Sequence, residues 1–271
     1  MPLPSPSPSS TAIVTGASSG IGADLARELA ARSHGVTLVA RREDRLRDLA
    51  DELSGDVRVE VIGCDVADPA ARADLLAEVD RRGLTADILV NNAGIGTIGP
   101  VSESTPDAEI AQVRVNVEAV IDLTTRAVHQ MVPRGSGAIL NVGSTAGFQP
   151  FPGQAGYAAT KAFVRSYTDG LRGELAGTGV TVTTLHPGPV RTEFLQTAGM
   201  DERTFAAAFP KFMWVDSRAV AKAGIDALAD GRGEVIPGLP NQISARVFEH
   251  LPRRLLIPLL TSQHPALRSG R

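Results

Sequence analysis

From Thr11 onward, short runs of β-branched and apolar residues alternate with longer amphipathic stretches, and this alternation limits the fold more than any other feature of the chain. TAIVT (11–15), VTLVA (36–40), VRVEVIG (57–63), DILVNNAG (87–94), GAILNVGS (137–144) and VTVTTLHPG (180–188) read as strands, with GEVIP (233–237) as a short last one. Between them Leu25, Leu29 and Ala30, and then Leu46, Leu49 and Leu53, recur at helical spacing. Further helical patterns cover PAARADLLAEVD and the stretches around 107–131 and 155–176. Strands that are apolar on both faces need cover on both faces, which predicts a parallel sheet between two helical layers. Right-handed crossovers then give a doubly wound α/β sheet, a Rossmann-type three-layer α/β/α arrangement in a single domain. That domain is expected over 11–240, since no composition break or repeat divides it.

Composition removes several classes. Net charge is -3 with no long run of one sign, which excludes a basic nucleic-acid face. One cysteine, Cys64, rules out an internal disulfide and fits a small packed side chain. His34, His129, His186, His250 and His264 form no pair at metal-ligand spacing, so no metal is expected. No segment of about twenty apolar residues is present, which makes cytoplasmic the default location. Residues 1–10, MPLPSPSPSS, lack the apolar core of a signal peptide and read as a disordered Pro/Ser leader. GSTAG (143–147) lacks the spacing of a serine nucleophile elbow.

The first strand runs into TGASSGIG (Thr15 to Gly22) and then a helix. Glycines at this turn let the backbone approach a pyrophosphate, and the helix N-terminus supplies free N–H groups. The second strand ends VARRED. Ala40 stands near the place where an acid would hold a ribose 2′-OH, and Arg41 and Arg42 follow it. A guanidinium forks onto phosphate oxygens, so NADP(H) is expected over NAD, with Arg41 the better candidate. Tyr157 and Lys161 in YAATK lie four residues apart on one helical face. An ammonium beside a phenol lowers its pKa and suits it to proton transfer.

These motifs, in this order over nearly all of 11–237, resemble the short-chain dehydrogenase/reductase family. TGASSGIG is similar to the family's cofactor turn, which implies cofactor contacts at Gly16, Ser18, Ser19, Gly20 and Ile21. Asp65-Val66 resembles its adenine-contacting pair, and NNAG, with Asn92, Ala93 and Gly94, its motif after the fourth strand. HPGPVRT is similar to the PG motif, which implies cofactor contacts at Pro187, Gly188, Val190 and Thr192. The resemblance implies a catalytic set of Asn116, Ser144, Tyr157 and Lys161. In it Tyr157 exchanges the proton, Ser144 hydrogen-bonds the substrate oxygen, Lys161 also holds the nicotinamide ribose and Asn116 anchors a water.

Past Gly188, a lid over about 189–215 gathers Phe194, Leu195, Met200, Phe205, Phe209, Phe212, Met213 and Trp214 in an otherwise aromatic-poor chain. Gln149, Phe151, Gln154, Phe194 and Phe209 are expected to line the substrate pocket. The expected function is NADPH-dependent reduction of an apolar, lipid-like or steroid-like ketone or aldehyde to an alcohol, by hydride transfer with Tyr157 as general acid. Two alternatives are a non-catalytic NADP(H)-sensing protein and a membrane-surface acyl-chain reductase. Residues 241–271 form a basic amphipathic C-terminal extension that can meet a membrane surface, a neighbouring subunit or the chain's own lid. Pro252 and Pro258 limit any long helix there. Family likeness implies a homodimer or homotetramer through the helices around 107–131 and 155–176.

Overall fold

The computed structural model describes residues 3–194, 209–263 and 267. Seven strands, β1 (Ser10–Thr15), β2 (Val36–Ala40), β3 (Val59–Gly63), β4 (Thr85–Asn91), β5 (Gly137–Val142), β6 (Val180–Leu185) and β7 (Glu234–Val235), form one sheet in the order β3-β2-β1-β4-β5-β6-β7. Every neighbouring pair is parallel. The helices are α1 (Gly20–Ala30), α2 (Glu43–Leu53), α3 (Pro69–Arg81), α4 (Pro106–Val113), α5 (Ala119–Arg134), α6 (Ala155–Glu174), α7 (Ser217–Ala229), α8 (Leu239–His250) and α9 (Arg253–Gln263).

Strand side chains alternate between two cores, as a pleat of period two requires. Ala12, Val14, Leu38, Val90 and Leu140 pack with Leu25, Leu29, Leu46 and Leu49 of α1 and α2 and with Val220 and Ile225 of α7. Ile13, Val39, Leu89 and Ile139 pack on the opposite face with Leu75 of α3, Leu123 of α5 and Leu171 of α6. The doubly wound three-layer sheet expected from the alternation is the one found.

Three local features depart from the expectations. The helical stretch around 107–131 is split: after α4 comes one π-helical turn, Arg114–Glu118, and then α5. Such turns commonly mark functional positions, and this one carries Asn116. The Pro/Ser leader is not disordered over residues 3–10. Leu3 packs against the core, the Ser10 hydroxyl accepts from Ser7 N and Ser9 O accepts from Thr85 N, and Ser10 opens β1. Pairing with β4 overrides the composition. In the C-terminal segment Pro252 separates α8 from α9, whereas Pro258 lies inside α9. Leu195, Met200 and Phe205 of the expected lid fall outside the described residues. Among the described residues no helix is long and apolar enough to cross a membrane.

A buried polar chain ties the middle of the sheet to the helices. Asn91 Nδ2 donates to Thr124 Oγ1 at 2.9 Å and to Asn141 Oδ1 at 2.8 Å, and Asn141 Nδ2 donates to Thr168 Oγ1 at 2.9 Å. Asn91, Asn141, Thr124 and Thr168 are all buried. Removing the central member takes one hydrogen bond from each of two buried partners, Asn91 and Thr168, at about 1–3 kcal/mol for each buried bond lost. Asn141→Ala is therefore expected to lower the unfolding free energy by roughly 2–4 kcal/mol, read from urea melts. A change under about 0.5 kcal/mol, the range of ordinary surface substitutions, would refute a structural role for the chain.

Candidate active site

The strand order reverses between β1 and β4, so the loops after them leave in opposite directions and open a crevice at the carboxyl ends of the strands. One residue from each strand end pins that crevice. Thr15 Oγ1 donates to Val90 O at 3.2 Å and accepts from Asn92 N at 3.0 Å and Ala93 N at 3.1 Å. Asn92 Nδ2 donates back to Thr15 O at 2.9 Å and Gly16 O at 3.3 Å. The glycine turn fits beneath. A Cβ on Gly22 would lie 2.3 Å from Gly16 O and 2.4 Å from Asn92 Nδ2. Gly16 holds φ 68°, in the region that side chains avoid.

Helix α1 starts from this turn without a side-chain cap, because Ser19 makes no capping hydrogen bond. Its first N–H groups and its dipole are left to face the crevice. Arg41 lies in extended reach at the end of β2, 69% exposed and 4.0 Å from Asp65 Oδ2. Arg42 Nη2 instead donates to Ser18 Oγ at 3.1 Å, Ser19 Oγ at 3.1 Å and Glu193 Oε2 at 2.9 Å. Of the two arginines, Arg41 is the less committed.

Ser144 follows β5, and its Oγ accepts from Ala146 N at 3.1 Å, starting the short 3₁₀ turn Thr145–Phe148. Tyr157 and Lys161 project from the first turns of α6. Burial pushes the Tyr157 hydroxyl up to about 12, and the hydrogen bond with Ser144 draws it back only in part. The lowering expected from the lysine is not found; burial and the Ser144 hydrogen bond set the shift. Lys161 Nζ donates to Val142 O at 2.8 Å and lies 5.8 Å from the centre of the Tyr157 ring. Burial brings Lys161 down to about 8.

Asn116 does not line the cavity with these three. It is buried in the π turn, where Oδ1 accepts from Ile95 N at 3.0 Å and Nδ2 donates to Ile95 O at 2.8 Å and Thr160 Oγ1 at 2.9 Å. Its side chain is spent on fastening the loop after β4 to α6.

All the other residues expected at the site line one cavity of about 860 Å³. Its end at the glycine turn holds Gly16, Ser18, Ser19, Gly20, Ile21, Arg41, Arg42, Asp65 and Val66. Asn92, Ala93 and Gly94 lie on one side, and Pro187, Gly188, Val190 and Thr192 on another. Ser144, Tyr157 and Lys161 sit between that end and Gln149, Phe151, Gln154, Phe194 and Phe209. The Phe194 ring lies 5.4 Å from the Tyr157 ring. The sequence reading missed a wall: Ser244, Ala245 and Phe248 of α8 and Leu260 of α9 also line the cavity. Its signal is the four-residue spacing of Ser244 and Phe248, next to buried Asn241 and Ala245. Cys64 lines the cavity beside Asp65, and burial pushes its thiol up to about 11, as befits a packed rather than reactive cysteine.

Behind Ser144 a charged cluster supports the turn. The Phe148 ring meets the Arg165 guanidinium at 3.9 Å and the Arg246 guanidinium at 5.6 Å. His186 packs edge-on to the same ring at 4.9 Å and is fully buried. Burial, reinforced by Arg165, pulls His186 down to about 3.

A sequence model of the short chain dehydrogenase family matches residues 10–203. The chain belongs to this family. It is 37% identical over 203 residues to sulfoacetaldehyde reductase 2 of Chromohalobacter salexigens, covering 73% of this chain and 79% of that one. It is 38% identical over 184 residues to an NADP-dependent 3-hydroxy acid dehydrogenase of Escherichia coli, covering 67% of this chain and 73% of the relative. A solved short-chain dehydrogenase from Sphingobium yanoikuyae in complex with NADPH superposes with a TM-score of 0.76 at 32% identity, over 96% of each chain. Like other members, this short-chain dehydrogenase is built on an oxidoreductase fold.

The histidine gives a pH test. Unfolding returns His186 from about 3 to its ordinary value near 6.5, so the unfolded chain takes up a proton between those limits. Stability from the neutral ring is complete above about pH 6.5 and is lost as pH falls toward 3. In urea melts across that window, the wild type is expected to lose up to about 1.4 kcal/mol per pH unit more than His186→Asn. Parallel slopes would contradict a buried neutral imidazole.

Proposed function

We propose that the protein reduces neutral, apolar ketones or aldehydes to alcohols with NADPH. The observation that carries this reading is the meeting of Ser144, Tyr157 and Lys161 in one cavity, between the glycine cradle and an apolar end. The cradle suits a dinucleotide: side-chain-free backbone at Gly16 and Gly22, uncapped N–H groups on α1, and an exposed Arg41 that would hold a 2′-phosphate. The bound cofactor supplies the hydride.

The chain's own groups handle the proton and the oxygen. With its hydroxyl held up to about 12, Tyr157 stays protonated at neutral pH and acts as the general acid toward a carbonyl oxygen. Ser144, coupled to Tyr157, hydrogen-bonds that oxygen and stabilises its developing charge. Lys161, anchored on Val142 O, places positive charge beside the phenol and would hold the ribose of a bound cofactor. Asn116 holds the loop at Ile95 against α6 and so keeps this geometry. In the reverse direction the same groups make it an alcohol dehydrogenase.

The pocket's chemistry supports the substrate class. Phe151, Phe194, Phe209, Met213, Phe248 and Leu260 line the end away from the cradle. A sulfonate or carboxylate substrate, of the kinds the two relatives are named for, calls for a cation there. Of the cations among the described residues lining the cavity, Arg41 pairs with Asp65 and Arg42 with Glu193, and Lys161 is tied to Val142 O. The exposed Val101, Ile110, Val113 and Ile121 along the α4–α5 edge support a homo-oligomer through those helices.

Loss of NADPH absorbance over a panel from small polar aldehydes to bulky alicyclic ketones tests the reading. Turnover is expected on the bulky neutral members, and Tyr157→Phe is expected to lose about 10²–10⁴-fold of it, the usual worth of a positioned acid. NADPH binding without turnover on any member would move the assignment to a cofactor sensor. Separately, Arg41→Ala is expected to weaken NADPH about tenfold or more, the scale of one charge-assisted hydrogen-bonded contact of 1.5–3 kcal/mol, while NADH is unchanged. Equal effects on both cofactors would remove Arg41 from the 2′-phosphate site.

A further inference from the structure

We propose that the outer face of α8 and α9 docks on the surface of an anionic lipid bilayer. Among the described residues eleven large hydrophobic side chains are exposed, and seven of them fall between Phe212 and Leu259. Leu239, Ile243 and Val247 recur every four residues along α8, 67%, 56% and 50% exposed. Leu255 and Leu259 repeat the spacing on α9. Residues of both helices face inward on one cavity, Ser244 and Phe248 from α8 and Leu260 from α9. The opposite sides of the two helices therefore point away from that cavity together. A patch of this extent marks an interaction surface rather than scattered exposure.

Charge selects the occupant. Residues 250–271 contain four arginines and no aspartate or glutamate, in a chain whose net charge is -3. Arg253 and Arg254 are exposed at the start of α9 and Lys211 is exposed beside Phe212, and none of the three forms an ion pair with a described residue. Most of the protein's other arginines are paired, as Arg27, Arg81 and Arg82 are. Apolar side chains flanked by unpaired cations match an interface of acyl chains under anionic headgroups. A second copy would bring the same uncompensated cations face to face. The docked face backs directly onto the wall of the cavity, so an apolar compound dissolved in the bilayer would lie beside it.

Cosedimentation of the full chain with phosphatidylcholine vesicles, with and without phosphatidylglycerol, tests this without any turnover, so its outcome is independent of the reductase assignment. Binding is expected to the anionic vesicles only and to weaken with salt. Each interfacial arginine is worth about fivefold in affinity, so Arg253→Glu with Arg254→Glu is expected to cost about thirtyfold or more. Ile243→Ser with Leu255→Ser is expected to weaken binding as well, with circular dichroism and thermal melts reporting that both variants fold. No cosedimentation, equal binding to neutral vesicles, or insensitivity to either pair would overturn the proposal. So would light scattering showing a dimer that Ile243→Ser with Leu255→Ser splits, since a second copy would then cover the face.

Discussion

The reciprocal hydrogen bonds between Thr15 and Asn92 hold open the place where everything else is assembled. They join the ends of β1 and β4, where the strand order reverses and the two loops would otherwise be free to close or drift. Once those ends are fixed, Gly16 and Gly22 must lie close beneath Asn92, with no room for a Cβ. α1 then begins with its N–H groups toward the crevice. The β4 loop continues to Ile95, where Asn116 takes it up and passes the restraint to Thr160 on α6. Tyr157 and Lys161 ride on the same turns of that helix. The two ends of the cavity are thus connected through a short series of buried side-chain bonds.

Burial sets the chemistry of the reacting groups. A tyrosine in water is a poor base at neutral pH because it keeps its proton, and enclosure here strengthens that hold. Lys161 moves the other way, to about 8. Each shift comes from removing water from a charged form. The result is a protonated phenol beside a lysine still charged at neutral pH, the state that the proposed reduction calls for. The same enclosure keeps His186 neutral at the edge of the Phe148 ring, so the charge in the cluster behind Ser144 comes from Arg165 and Arg246 on that ring.

The sheet was legible because its signals are local. Alternating apolar runs, leucines at helical spacing and glycines after the first strand each occupy a few neighbouring residues. So do YAATK and NVGS, and the cavity gathers them because a parallel sheet brings its strand ends to one edge. What stayed hidden depends on distant partners. Nothing near Thr15 announces that its hydroxyl will bind residues 90, 92 and 93. Nothing in MPLPSPSPSS shows that Ser9 O will pair with Thr85 N. Asn116 was read as part of the reacting set, and that it also fastens Ile95 to Thr160 is a fact of tertiary packing that no neighbouring residue announces. The tail was legible as amphipathic, but which face would turn inward, with Phe248 and Leu260, depended on the shape of the cavity it covers.

Hydride transfer is the central claim, and isotope transfer tests it most directly. The protein would be incubated with NADPH carrying deuterium at the transferable position and with a bulky neutral ketone, and the alcohol product examined by mass spectrometry. The account predicts deuterium on the carbinol carbon with the wild type and none above background with Tyr157→Phe. Tight NADPH binding with no deuterium reaching any ketone or aldehyde tried would contradict it.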